Sequence, residues 1–208
     1  NATFDGNAAT GTGGNPGDGG NGGSIYMDAQ DHDMTLCGVV ITDSHANAFG
    51  GGVFRMAYSQ TEKTDIASTT IENATIDDHD PSMAGGLYLQ ATVATLSAVT
   101  ILDSSARTAG GAYFGPGATI ALTNVSFLDD VALAGLGGGA FIDAVDGGSI
   151  TNCTFAGNKA PGDVAFGGAI VGDASNVTMT NTLIVENEAG NAFNPISCTT
   201  TLADGAGS

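Results

Sequence analysis

The chain of 208 residues carries 22 acidic side chains against 4 Lys plus Arg, a formal net charge of −18, and it contains 33 glycines. Four cations cannot build the basic patch that phosphate binding needs, which excludes a nucleic-acid surface and argues against anionic lipids and polyanionic substrates. An apolar content of 42% is enough to bury a core, so the composition also argues against a disordered chain.

The opening residues Asn1-Ala2-Thr3-Phe4-Asp5 have neither a basic start nor an apolar run, so they do not read as a secretory signal. The sequence reads as a mature form or as a piece of a longer protein. No apolar stretch approaches the roughly eighteen residues of a membrane span. Cys37, Cys153 and Cys198 are too few for a disulfide scaffold, their odd count leaves at least one unpaired within the chain, and no CxxC spacing supports a zinc site.

Taken in chain order, one phrase recurs: a small or apolar residue, usually Thr or Ser, then Phe or Ile, two residues, and a polar one. It opens as Ala2-Thr3-Phe4-Asp5-Gly6-Asn7. The segment 11–21, rich in Gly, reads as a flexible loop projecting from the first coil, and Gly22-Gly23-Ser24-Ile25 then opens an apolar strand. The first phrase returns at Val39–Ser44, Ala74–His79, Val99–Ser104, Val125–Asp130, Cys153–Asn158 and Thr182–Asn187. The Gly-Gly strand returns at Gly51–Phe54, Gly85–Tyr88, Gly110–Tyr113, Gly138–Phe141 and Gly167–Ile170. A third short strand precedes each later copy of the first phrase, as in Ile120–Asn124 and Val177–Asn181. All are rich in β-branched residues and bounded by Gly, Asn or Asp, as strands are, and no window supports a helix.

The anchors Phe4, Ile41, Ile76, Ile101, Phe127, Phe155 and Ile184 lie 37, 35, 25, 26, 28 and 29 residues apart. Three strands per repeat, with length varying only in the connections, describe a solenoid whose turns bury their apolar sides by stacking. The expectation is one all-β domain spanning residues 1–208: a right-handed parallel β-helix of about seven coils, three short strands per coil. At about 4.8 Å between paired strands, the six steps span roughly 29 Å.

Stacking turns each repeat position into a column of side chains. Asn73, Asn124, Asn152 and Asn181 form one, interrupted by Gly38 and Ala98, and read as an amide ladder. The sequons at Asn73, Asn124 and Asn152 are a by-product of that ladder followed by Thr or Ser. A second column holds Gly6, Asp43, Asp78, Asp103, Asp129, Gly157 and Glu186. Its carboxylates read first as turn caps facing water, and second as calcium ligands: stacked like charges repel, no cation nearby neutralises them, and calcium takes oxygen donors. One coil corner brings His45 near His79 and Asp80, a weaker transition-metal candidate. The column Ile25, Phe54, Tyr88, Tyr113, Phe141, Ile170 reads as inward core, with an outward aromatic stripe for sugar rings or a partner as the other reading. Its neighbour, Tyr26, Arg55, Leu89, Phe114, Ile142, Val171, then faces the other way, with Tyr26 and Arg55 exposed.

Phe4-Asp5-Gly6-Asn7 and Phe155-Ala156-Gly157-Asn158 match an FxxN motif, and Gly167-Gly168-Ala169-Ile170 matches GGAI. Over nearly its whole length the chain resembles the polymorphic outer-membrane protein repeats of bacterial surface β-helices, and related secreted β-helix proteins with sorting tails. In the intermediate copies Ile replaces Phe, and Asp or Ser replaces Asn. The stretch from Asn181 through Cys198 to Gly205 is similar to the last coil of such secreted proteins. The resemblance implies extracellular or cell-surface display, adhesion or assembly, and it transfers no catalytic residue.

The expected function is therefore a non-catalytic extracellular or cell-surface scaffold, adhesin-like or a structural subunit, whose partner is a protein or like subunit at the end coils or a surface glycan. The competing classes are a polysaccharide lyase or hydrolase and a calcium-dependent carbohydrate-binding module. A lyase of this fold needs a basic residue beside calcium-binding carboxylates, and Arg55, Lys63, Arg107 and Lys159 do not align with one another on the repeat. A hydrolase needs two carboxylates at a set separation. Asp77-Asp78 and Asp129-Asp130 are adjacent pairs, without the signatures that accompany such sites in polygalacturonases.

Overall fold

The computed structural model describes residues 1–15 and 18–190 in full, and the backbone of Ile196–Cys198 and Leu202–Asp204. The side chain of Cys198 and most of the closing stretch lie outside the described residues. The chain winds as a parallel β-solenoid with four sheets of seven strands each. The first face runs from Ala2–Asp5 to Leu183–Val185, and the second from Ala8–Ala9 to Glu188–Ala189. The third runs from Ile25–Asp28 to Ile196–Cys198, and the fourth from Met34–Cys37 to Leu202–Asp204. No helix occurs among the described residues. The expected three strands per coil are four, because the second face is made of strands only two residues long, too short to leave a periodic signal.

Register corrects two columns. Ile71, not Ile76, pairs with Ile41 and Ile101, so the inward anchor column is Phe4, Ile41, Ile71, Ile101, Phe127, Phe155, Ile184. Ile76 sits on the second face opposite Ala46. On the third face Ile25 pairs with Val53, and Tyr26 with Phe54. Ser24 there, like Ala169 near the other end, stands where the coils between carry the second glycine, and its N–H, like that of Ile25, donates to Gly52 O; Val171, not Ile170, pairs with Phe141.

Ile41, Ile71, Ile101, Phe127 and Phe155 are fully buried, and the Phe127 and Phe155 rings stack at 4.7 Å. Each such side chain contributes roughly 1.5–3 kcal/mol of burial. The FxxN asparagine stitches one coil to the one before it. Asn158 Oδ1 accepts the N–H of Asp130 at 3.0 Å while its Nδ2 donates to Phe127 O at 2.9 Å, and Asn187 repeats both contacts on Asn158 N–H and Phe155 O. The second glycine of two Gly-Gly pairs makes room for that ladder: a Cβ on Gly139 would stand 3.1 Å from Asn158 Cγ, and one on Gly111 2.5 Å from Asp130 Oδ2. On these coils the two sequence motifs are two sides of one packing contact.

Candidate functional site

The corner between the first and second faces carries the acidic column. Gly6, Asp43, Asn73, Asp103, Asp129, Gly157 and Glu186 all adopt positive φ, between 50° and 69°. That left-handed conformation is open to Gly and tolerated by Asn and Asp, whose short polar side chains bond locally, so backbone geometry selects these residues. Asn73, not Asp78, completes the column, and it donates to Asp43 Oδ1 at 2.6 Å. Asp78 lies further along and pairs with Arg107 at 2.8 Å. Asp43, Asp103 and Asp129 are exposed. Among the described residues no three His, Cys, Asp or Glu side chains form a group placed to hold a metal.

His45, His79 and Asp80 do not meet either. His45 uses both ring nitrogens locally, Nδ1 with Thr75 Oγ1 at 3.2 Å and Nε2 with Asn47 Oδ1 at 3.1 Å, while His79 and Asp80 are exposed in the following turn. The corner between the fourth and first faces holds Gly38, Ser68, Ala98, Asn124, Asn152 and Asn181, again at positive φ, with Ser68 where Asn73 was expected. Asn181 Nδ2 donates to Asn152 Oδ1 at 2.5 Å, one rung of the anticipated amide ladder.

The aromatic column faces outward, contrary to its expected place in the core, and it is nevertheless largely covered. Tyr26, Phe54, Tyr88, Tyr113 and Phe141 stand on the outer side of the third face, with Phe49, Met83, Leu136 and Phe166 packed over them. Successive rings stack at 5.2, 5.0 and 4.9 Å from Tyr26 through Tyr113, and Phe141 meets Tyr113 edge-on at 5.6 Å. Tyr88 and Tyr113 are held protonated by burial, with Asp143 reinforcing the effect. Tyr26, at the start of the ladder, is 50% exposed.

At that end the ladder opens into two adjoining cavities. One of about 270 Å³ is lined by Gly14, Asn15, Asp28, Phe49, Phe54, Met56, Tyr58, Tyr88 and Gln90. The other, of about 210 Å³, is lined by Asn15, Gly19, Asn21 and Tyr26. The glycine-rich segment, expected to project, instead doubles back: Thr12 N–H donates to Asp18 O at 2.8 Å, Gly20 N–H to Gly13 O at 2.9 Å, and Gly14 lies so close to the Phe49 ring that a Cβ would collide with it. Asp28 accepts from both neighbouring phenols, Tyr26 at 3.1 Å and Tyr58 at 2.5 Å, which raises the pKa of each; burial leads for Tyr26 and the hydrogen bond leads for Tyr58.

Two groups inside the solenoid brace the wall that carries Tyr58. Arg55 occupies the inward column Met27, Arg55, Leu89, Phe114, Ile142 and is fully buried, the reverse of the exposed position expected for it. Its Nη1 donates to Ala29 O at 3.0 Å and Met56 O at 2.7 Å, and its Nη2 to His32 O at 2.6 Å. Burial lowers its pKa, opposed by the charges of Glu62, Asp33 and Asp28, and a guanidinium keeps its proton regardless. Glu62 accepts backbone N–H groups of Asp31 at 3.1 Å, Ser59 at 3.1 Å and Thr61 at 3.3 Å. The Ser59 side chain foremost, with these backbone N–H groups, holds its carboxyl well below the usual carboxylate range, against the opposing effect of burial. Sequence reasoning missed this brace; its signal was an arginine in an otherwise apolar column beside two unusually long connections, 29–33 and 57–62.

The chain matches no protein-family model, no curated protein and no solved structure.

Proposed function

We propose that the chain is a non-catalytic β-solenoid scaffold, displayed at a cell surface or built into an extracellular assembly, which makes its contact through the aromatic groove of its first coils. The observation that carries this reading is the brace. A fully buried arginine and a carboxylate that accepts several backbone N–H groups hold in place two long connections, one of which carries the Tyr58 that lines that groove. Buried charge opposes folding unless it is well bonded, and structures depart from local regularity most often where they bind something. The groove's phenols are held protonated against Asp28, a chemistry suited to recognition.

Two measurements test the reading. Antibody labelling of intact, unpermeabilised producing cells is expected to reveal the chain at the surface, and signal only after permeabilisation overturns the location. Reducing-end and unsaturated-product assays on a panel of polysaccharides are expected to stay silent; steady product release overturns the non-catalytic assignment.

A further inference from the structure

We propose that the cavity beside Tyr26 binds a pyranose ring of a neutral oligosaccharide, a proposal that rests on the non-catalytic reading of the same groove. The ring ladder decides where stacking can occur. Phe54, Tyr88 and Tyr113 each lie between ring neighbours 4.9 to 5.6 Å away, so their faces are largely taken and chiefly their edges reach outward. Tyr26 differs: it lies nearly parallel to Phe54, at 8° and 5.2 Å, has that one ring partner among the described residues, and is half-exposed. An available aromatic face is what the apolar side of a sugar ring stacks on.

Hydrogen-bond chemistry points the same way. Asn21 lines the cavity, and its Oδ1 is buried with no hydrogen-bond partner, while its Nδ2 is fixed to Gly14 O at 2.9 Å. A buried acceptor without a donor is disfavoured, and a ligand hydroxyl supplies the donor. Charge sets the ligand class. The chain's −18 repels uronates and sulfated sugars. A cation finds little purchase, because both carboxylate oxygens of Asp28 already accept phenol protons. The cavity, about 210 Å³, falls below the roughly 300–1,000 Å³ of drug-sized sites and suits one ring. Asn15 also lines the adjoining groove of about 270 Å³, which gives the rest of the oligosaccharide its path.

The test is saturation-transfer NMR on the intact chain with cellohexaose, xylohexaose, maltohexaose and chitohexaose, with an oligogalacturonate and an oligolysine as charged controls. At least one neutral hexasaccharide is expected to receive saturation and to shift the Tyr26 ring resonances. Tyr26→Phe keeps the stacking face and is expected to retain the affinity, whereas Tyr26→Ala loses about tenfold. Tyr26→Ala also gives up the Phe54 stack and the Asp28 hydrogen bond, so its backbone amide spectrum, expected to stay native-like, separates lost binding from lost fold. Silence from all four neutral sugars, unchanged affinity in Tyr26→Ala, or preference for a charged control overturns the sugar site and leaves the scaffold reading standing. Sugar that binds and is then cleaved supports the site and overturns the non-catalytic reading.

Discussion

Asp130 and Asn158 occupy the same inward slot on successive coils, and the Asp130 N–H donates to Asn158 Oδ1 at 3.0 Å. The slot asks for one acceptor and one donor, which an amide supplies. Asp130 supplies the acceptor, taking the Ser104 N–H at 2.9 Å on Oδ1, but its Oδ2 is buried without a partner. Complete burial, with Asp103 and Asp129 nearby, raises its pKa well above the usual carboxylate range. A raised native pKa means the stabilisation is complete below the unfolded value, ~3.9, and is lost as pH rises through the native one. Asp130→Asn is therefore expected to stabilise the chain at pH 8 by about 1–3 kcal/mol and to change it little at pH 4. Thermal melts at both pH values check this, and a lower melting temperature at pH 8 would contradict it.

Glu62 imposes the opposite pH dependence. Its carboxyl is held low by the Ser59 side chain and by backbone N–H groups, so its contribution is present above the unfolded pKa of ~4.3 and is lost as pH falls through the native value. Glu62→Gln should loosen segments 29–33 and 57–62 at neutral pH, seen as faster amide exchange there, with the difference from wild type closing under strong acid. Arg55→Met removes the guanidinium donor from the carbonyls of Ala29 and His32 and one of two donors from that of Met56, and a loss of about 1–3 kcal/mol is expected. Exchange that quickens evenly along the solenoid, not first in these two segments, would rule out the bracing role.

Gly139, the second glycine of its pair, is a steric requirement where it stands, although Ala169 fills the same position on the next coil. At Gly139 a Cβ would meet Ala169 O at 2.7 Å as well as Asn158 Cγ, and the backbone cannot yield. Gly139→Ala is expected to cost about 1–3 kcal/mol by overpacking. Ser24, its counterpart on the first coil, is accommodated because it faces the small Ser44, with the two hydroxyls 2.5 Å apart. Denaturant melts of Gly139→Ala give the answer directly, and an unaltered midpoint would mean the motif glycines serve something other than this contact.

Much of the solenoid was legible because Phe or Ile recurs in the same small-polar setting in every coil, and stacking alone explains that recurrence. The slip at Ile76 has a local cause. Thr70-Ile71-Glu72-Asn73 and Thr75-Ile76-Asp77-Asp78 carry the same pattern five residues apart, and only pairing with Ile41 and Ile101 tells them apart. The one-residue slip at Tyr26 arose because Gly22-Gly23 resembles the later pairs, although Gly23 matches the first glycine and Ser24 the second. The groove left almost no trace. Asn21 and Asp28 stand opposite Phe49 and Met56, unlike residues that betray no repeat, and Tyr58 lies on the connection 57–62, whose length the later coils do not share.

The acidic corner gives the last prediction. If backbone geometry selects Asp103, whose φ is 51°, its charge is dispensable and its shape is not. Asp103→Asn should then melt within about 0.5 kcal/mol of wild type, as surface changes without strain do. Asp103→Gly should match or exceed wild type, because glycine adopts positive φ without the Cβ clash. Asp103→Val should lose about 1–2 kcal/mol, since a β-branched side chain in the left-handed region meets the following carbonyl. A chelator should leave all four melts unmoved, because on this account the column's carboxylates are there for their backbone conformation and not for a cation. A chelator-dependent melt that Asp103→Asn abolishes would instead make the column a cation site and displace the backbone account.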